Sequence, residues 1–338
     1  MHRSLYRMIH FSLLLFSFPL IGSLETKTAD PSCLRDGWNA PAQFDQGDLG
    51  GYLTKTFLIW KVEGDSTAPG VVVLGSGAEE ILLEKEYRLG FHLGGGYHLP
   101  YGNWQIELGY SYLPMKATSQ EVQSDSSAEE IAPFWAKKSQ DAPSFLSENS
   151  VWTFSAQSVT ASLLRRYYVG QKLLVALETG LRSWIVQQNY DAKYAGVNAH
   201  LETHSKAHLW NLGPRTSLHS DWFIGSGLRF FGHIGGSIGY TKAGIDHLET
   251  KDENATLFSL SDERPFLAPT SEIGVGLGWG ASFLERGLHL DASLRYDLFV
   301  LYGQNVMKSL LEPFVENFSR GSYDVYLHGF SLMVRSDF

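Results

Sequence analysis

Apolar residues recur at every second position in stretch after stretch of this chain, and that period confines it to β structure with two different faces. The clearest case starts at Tyr87. Leu89, Phe91, Leu93, Gly95, Tyr97 and Leu99 alternate with Arg88, Gly90, His92, Gly94, Gly96 and His98. After Pro100-Tyr101-Gly102-Asn103 the pattern resumes, with Trp104, Ile106, Leu108, Tyr110 and Tyr112 set against Gln105, Glu107, Gly109 and Ser111. Each half is longer than the roughly 5–6 residues usual in soluble strands. It matches the roughly 9–11 residues a tilted strand needs to cross a bilayer.

The same alternation marks strands around 158–168, 173–185, 208–218, 228–240, 272–283 and 288–298, and a strand that alternates poorly at about 52–61. With the C-terminal stretch this gives ten strands, or twelve if a further pair hides in the 39-residue segment 113–151. Tight turns are expected at 100–103, 169–172, 219–222 and 284–287, and long polar connections at 62–85, 113–151, 190–205, 241–268 and 302–322. Short and long alternate throughout. That asymmetry, with an even strand count, predicts an all-β fold: a transmembrane antiparallel up-and-down β-barrel with short periplasmic turns and long extracellular loops. Closure follows from the solvent, because an open sheet edge in lipid leaves backbone groups without partners.

Both termini agree with export to a membrane. Residues 1–23 have the form of a secretory signal peptide: Arg3 and Arg7 precede an apolar run from Ile9 to Ile21, and Gly22-Ser23 supply small residues near a cut. The run is too short to span a bilayer as a helix. At the other end Phe330, Leu332, Val334 and Phe338 share one face of an amphipathic strand that stops on an aromatic carboxylate, the form of an insertion signal read by barrel-insertion machinery. Residues 24–49 read as a periplasmic lead-in and 50–338 as the barrel.

Composition narrows the function. Loss of Arg3 and Arg7 with the leader takes the net charge from −9 to −11, and nucleic acid, which needs a basic footprint, is not an expected partner. The single Cys33 excludes an internal disulfide and a cysteine zinc cluster, leaving a free thiol or an intermolecular pairing. In a membrane barrel apolar side chains face lipid and polar ones face the lumen. The expected lumen residues are Glu86, Arg88, His92, Glu107, Arg166, Glu178, Arg182, Arg215, Arg229, Asp291, Arg295, Asp297, Arg335 and Asp337. Two readings stand open: these charges line a water-filled path that selects solutes, or they neutralise one another across a narrow, plugged lumen. Trp60, Trp104, Tyr110, Tyr112, Trp152, Tyr167, Trp184, Trp210, Trp222, Tyr240, Trp279 and Tyr296 are candidates for interfacial girdles. Arg165 falls on the lipid-facing register and is expected to snorkel at the periplasmic rim.

No catalytic or metal constellation stands out. His200, His204 and His208 would align on a helix, but Ala199-His-Leu-Glu-Thr-His204 lacks the H-E-x-x-H pattern. Asp246-His247 is a lone acid–histidine pair in the fourth loop, and Gly94-Gly95-Gly96 is strand interior with no helix behind it. No enzyme activity and no cofactor are expected.

Several segments carry a resemblance: Phe57-Leu-Ile-Trp-Lys61; Tyr87-Arg-Leu-Gly-Phe91 with Trp104 and Gly109-Tyr110; Val151-Trp152; Leu163-Leu-Arg-Arg-Tyr-Tyr-Val169; Gly180-Leu-Arg182 with Gln187-Gln188 and Tyr190; Asn211-Leu-Gly-Pro-Arg215 before Trp222; and terminal Phe338. In this order they resemble the Legionella and chlamydia-related major-outer-membrane-protein-like family of pore-forming proteins. The resemblance covers most of residues 50–338 and implies a signal peptide, an outer-membrane barrel and a passive pore. The chain departs from the pattern at Ser336, where an aromatic is usual, and in having one cysteine where the classical chlamydial proteins have many. The expectation is an outer-membrane barrel in the lipid bilayer that passes small hydrophilic solutes. The alternative is a closed barrel acting through its loops as an adhesin or surface structural protein.

Overall fold

The structure, a computed structural model, describes residues 50–64, 68–74, 77–99, 103–119, 122–123, 129–135, 145–169, 172–196, 200–251, 255–283, 288–307 and 323–338. The expected leader 1–23, the lead-in 24–49 and Cys33 lie outside them. Ten long strands form the wall: β1 (Gly51–Gly64), β2 (Arg88–His98), β3 (Trp104–Ser119), β4 (Ser147–Val169), β5 (Leu173–Ala195), β6 (His200–Gly225), β7 (Leu228–Lys251), β8 (Ala255–Phe283), β9 (Leu288–Leu301) and β10 (Val325–Asp337). Each pairs antiparallel with its neighbours in sequence, and β1 pairs with β10 from Tyr52↔Asp337 to Gly64↔Val325, so the sheet closes on itself. At the seam Gly51 N donates to Phe338 O (3.0 Å) and Phe338 N to Gly51 O (2.9 Å). Gly329, at φ +152°, faces β1 so closely that a Cβ would lie 2.7 Å from the Trp60 Cα.

The strands hidden in the second connection do not enlarge the ring. Val122–Gln123 adds to the edge of β4, and Glu129–Pro133 joins Gly70–Leu74 and Gly77–Glu80 in a separate three-stranded sheet.

Three expected connections are strand instead. His219–Trp222 lies within β6, and the turn comes later, at Gly225-Ser226-Gly227, where all three residues have positive φ (128°, 52° and 81°). A tight hairpin needs that geometry and glycine supplies it. His219 and Asp221 are polar because they face the lumen, not because the chain turns there. Segments 190–205 and 241–268 are mostly β hairpin: only 196–199 separate β5 from β6, and 252–254 separate β7 from β8. Their polar outward faces are laced across strands by Lys193–Glu202 (2.9 Å) and Lys242–Glu263 (2.7 Å).

Each long strand meets two solvents. On β5 the outward residues are first apolar (Leu177, Leu181, Ile185) and then polar (Gln187, Asn189, Asp191, Lys193), while the inward ones run from Glu178 and Arg182 to Trp184, Val186, Tyr190, Ala192 and Tyr194. β7 repeats the switch: Phe230, Ile234, Ile238 and Tyr240 outward give way to Lys242 and Asp246, and inward Arg229 and His233 give way to Ala243 and Ile245. The turn-end half is built for lipid, inverted relative to a soluble protein. The loop-end half is built like a soluble barrel standing in water. β1, which alternates poorly as sequence, has a clean inward row of Tyr52, Thr54, Thr56, Leu58, Trp60 and Val62.

Arg165 sits beside the turn end with its guanidinium 5.2 Å from the Trp104 ring and 5.0 Å from the Tyr167 ring, as a snorkelling cation at an aromatic rim would. Trp60, Trp152 and Trp184 are not girdle residues. They point inward and are buried, because they fall on the inward register of the soluble-like half.

Leu108 lies 61% exposed in the middle of the apolar belt. Leu108→Arg is expected to lower the folding free energy in lipid vesicles by about 2–4 kcal/mol. Asn189→Arg, outward on β5 but beyond the belt, is expected to cost less than about 1 kcal/mol. Urea titration of heat-modifiable gel mobility reads both, and equal costs would refute the division of the wall.

Candidate functional site

Among the described residues, the interior of the lipid-embedded half shows two chambers. The one nearer the turns has a volume of about 200 Å³ and is bordered by Glu107, Arg166, Glu178, Asp221, Arg229, Asp291, Arg295 and Arg335. The deeper one, about 160 Å³, is bordered by His92, Glu178, Arg182, Arg215, His233, Glu272 and Asp297 below and by Trp60, Trp184 and Phe299 above. Glu107, Glu178, His219 and Arg295 border both.

Ion pairs knit this level together. Arg215 bridges two strands' carboxylates: it pairs with Glu178, and its Nε donates to Glu272 Oε1 at 2.7 Å. Arg182 Nη1 reaches Glu272 Oε2 at 2.9 Å. Glu178 Oε2 also accepts from Ser217 Oγ (2.8 Å) and meets His219 Nε2 (2.7 Å). Nearer the turns Arg229 chelates Asp291, with Nη2 to Oδ1 at 2.7 Å, and its Nε lies 3.2 Å from Asp221. Arg295 Nε donates to Asp297 Oδ2 at 2.8 Å, and Ser331 Oγ donates to the same oxygen at 2.5 Å. At the seam Arg335 Nε donates to Asp337 Oδ1 at 2.8 Å, while the guanidinium stacks 3.8 Å from the ring of Tyr52, whose hydroxyl donates to Glu107 Oε2 at 2.7 Å. Glycines make room for these side chains: a Cβ at Gly278 would lie 2.8 Å from Arg229 Cζ.

Most of the expected lumen residues meet here. His92, Glu107, Arg166, Glu178, Arg182, Arg215, Arg229, Asp291, Arg295, Asp297 and Arg335 border a chamber, and Asp337 is buried against Arg335. Glu86 and Arg88 do not join them. They are well exposed and pair with each other at 3.0 Å where the chain enters β2. The alternation carries as far as Arg88, but that residue, opposite Trp60 at the very start of β2, is exposed. Glu272, the hub between Arg182 and Arg215, is missing from the expected set, although its parity with Gly274 and Gly276 places it inward. His219 and Asp221 are hidden in the sequence by the turn-like look of their segment.

Beyond the ion pairs the interior becomes a hydrophobic core. Wall residues Trp60, Trp152, Phe154, Trp184, Tyr190, Tyr194 and Phe299 pack against Ala68, Ile81, Ile131, Phe134, Trp135, Phe145 and Met307, which belong to connections. Trp135 is 1% exposed, stacks on Tyr190 (4.4 Å between centroids, 23°) and donates its indole N–H to Ala68 O at 2.8 Å. Tyr194 donates its hydroxyl to Pro69 O at 2.7 Å. In this outer half burial pushes the Glu148 carboxyl above its usual range, against hydrogen bonds from Ser150 and Ser119 that lower it.

The acid–histidine pair is split by the strand: His247 faces inward, bonded to Ser205 Oγ (2.7 Å) and Glu249 Oε1 (3.0 Å), whereas Asp246 faces out and accepts from Ser261 Oγ (2.8 Å). His200, His204 and His208 lie on a strand, where an i, i+4 spacing means roughly 13 Å. His204 pairs outward with Asp191 at 2.8 Å. No cluster of three potential metal ligands occurs among the described residues.

Removal of Arg215 would take the shared cation from two buried carboxylates, leaving Glu272 with Arg182 and Glu178 with Ser217 and His219. Arg215→Met is expected to cost roughly 3–5 kcal/mol. Adding Glu272→Gln should recover part of that loss in a double-mutant cycle measured by urea unfolding. Additive costs would disprove the coupling.

Several solved structures resemble the chain loosely. Outer membrane protease OmpT from Escherichia coli is 6% identical, with 88% of this chain and 99% of that one covered at a TM-score of 0.44. A major outer membrane protein from Thermus thermophilus is 11% identical, with 85% and 99% covered at 0.33. Ail, the attachment invasion locus protein of Yersinia pestis, is 13% identical, with 86% and 99% covered at 0.27. Agreement this loose assigns neither activity nor ligand. No curated protein matches the chain. Residues 63–332 match the family described as Legionella pneumophila major outer membrane protein precursor, and the chain belongs to that family of outer-membrane barrel proteins.

Proposed function

We propose that the protein is a narrow, plugged outer-membrane pore. Its charged inner lumen takes up small hydrophilic solutes, and its outer end is shut by its own connections until they are displaced. What supports this most directly is who supplies the outer core. Ala68, Phe134, Trp135 and Phe145 come from connections folded inward, not from the wall. A barrel of this size can be filled by wall side chains alone, whereas an inserted segment can also leave. Mixed charge of both signs gives such a pore modest ion preference at most. In the same reading residues 1–23 direct export, and Phe330, Leu332, Val334 and Phe338 present the insertion signal. Phe330, Leu332 and Val334 are exposed on the lipid face of β10, and Phe338, just past its end, is exposed as well.

The second reading, a closed barrel working at the cell surface, draws on the outer core's continuity and on the charged hairpins that rise beyond the lipid belt.

Planar-bilayer recording separates the two. Wild-type protein is expected to be mostly silent, with brief small steps. Trp135→Ala removes roughly 3–5 kcal/mol of plug packing, so its open fraction should rise by more than about a hundredfold. Silence from both proteins, each shown to be folded, would replace the pore with the surface-barrel reading.

A further inference from the structure

We infer that the deeper chamber is a binding site for a neutral, monosaccharide-sized polyol held between an aromatic ceiling and an ionic floor. The inference deepens the pore reading by naming a solute class, and depends on that reading only for how the solute arrives.

The chamber is built asymmetrically. Its ceiling is a rigid aromatic cluster: Phe299 sits 5.9 Å from Trp60 and 5.6 Å from Trp184, edge-on to the latter. Arg182 braces the cluster, with its guanidinium carbon 5.0 Å from the Phe299 ring and 5.8 Å from that of Trp184. The floor is the Arg215–Glu178–Glu272 network. A few placed polar groups opposite an apolar surface is the general form of a small-molecule pocket.

Two buried donors at this chamber lack an acceptor among the described residues: Arg182 Nε and Trp184 Nε1, on side chains more than nine-tenths buried. Unpaired buried donors cost free energy until something accepts from them. The ligand therefore carries acceptor oxygens.

Charge excludes an ionic ligand. Arg182, Arg215 and Arg295 are each opposed by Glu178, Glu272 or Asp297, and Glu107 adds a further carboxylate. An anion would meet this acidic surplus. A cation would find no orphaned acceptor, because the unpaired atoms here are donors. Size fits the same class. At roughly 10–15 Å³ per water-sized group, the 160 Å³ available holds about a dozen such groups, the non-hydrogen content of a pentose or hexose. Water alone would satisfy the donors but would wet the ring faces, whereas a sugar sets its C–H face against the rings and its hydroxyls toward the donors.

The test is isothermal titration of the purified protein in detergent with D-glucose, D-galactose and D-xylose, and with D-glucuronate and D-glucosamine as charged counterparts. At least one neutral sugar should give saturable heat, with charged analogues about tenfold weaker. Trp184→Phe keeps the ring but loses the N–H and should weaken binding about three- to tenfold. Lipid-facing Trp210→Phe should leave it unchanged. The inference falls if no neutral sugar saturates, if charged analogues bind equally, or if Trp184→Phe binds like wild type. Should that variant fail to fold, the neutral-versus-charged contrast on wild-type protein decides. Binding without conductance would sink the pore and spare the site, and conductance without binding would do the reverse.

Discussion

The seam between β1 and β10 is the constraint on which the rest of this structure depends. Hydrocarbon offers no partner to a backbone N–H or C=O, so a sheet in lipid must have no edge. Here the first and last wall strands pair along their whole length, ending in the reciprocal bonds between Gly51 and Phe338. Closure fixes register, and register fixes which side chains face inward. A one-residue slip would send Arg335 and Asp337 into lipid and Phe330, Leu332 and Val334 into the lumen. The ion pair of Arg335 with Asp337, stacked on Tyr52 of β1, ties the same seam from inside.

Closure also forces the two-solvent wall. Once the ring exists, the belt must be apolar outside, and a barrel this narrow leaves the interior to side chains. Where lipid ends, the outward face turns polar and the inward face is free to become an ordinary hydrophobic core. The changeover falls between Arg182 and Trp184 on the inward face of β5 and between Ile185 and Gln187 on its outward face. The ion-pair layer therefore sits just below the core, where inward residues are still polar but no longer open to bulk water. Its charges are retained at the expense of desolvation, which suits specificity of register and contact better than raw stability.

The wall is legible in the sequence because lipid imposes a strict period of two. Strand number and most of the inward set from His92 to Asp337 follow from that period; residues 100–102, 170–171 and 284–287 of the expected turns lie outside the described residues. Legibility fails where the period carries a different meaning. Segments 190–205 and 241–268 are polar in the manner of loops, yet their polarity alternates with Tyr190, Ala192, Tyr194, Ala243 and Ile245, which is the signature of a hairpin with a soluble-type interior. His219-Ser-Asp-Trp222 has turn-like composition, but positive φ decides where a hairpin reverses, and the glycines that permit it lie at 225 and 227. Trp60, Trp152 and Trp184 look like girdle residues in the sequence because a tryptophan at a strand end reads the same whether it faces an interface or a core. The inserted sheet is invisible there, since its strands are short and form their ladders with one another.

In the proposed pore, plug and ion-pair layer are mechanically one problem. The outer core rests on Trp60, Trp184 and Phe299, and those rings rest on Arg182, which is oriented by Glu272, which in turn is shared with Arg215 and through it with Glu178. A chain of packed groups with two discrete arrangements is the minimum apparatus for coupling distant ends of a molecule. In the proposed pore, displacement of the inserted segments would unpack the aromatic core to which Trp184 and Phe299 belong, and an acceptor that engages Arg182 from below would change what braces those two rings. A solute in the deeper chamber would therefore bias the plug equilibrium only to the extent that it contacts the rings differently in the two arrangements. The aromatic ceiling is the surface through which that difference must act.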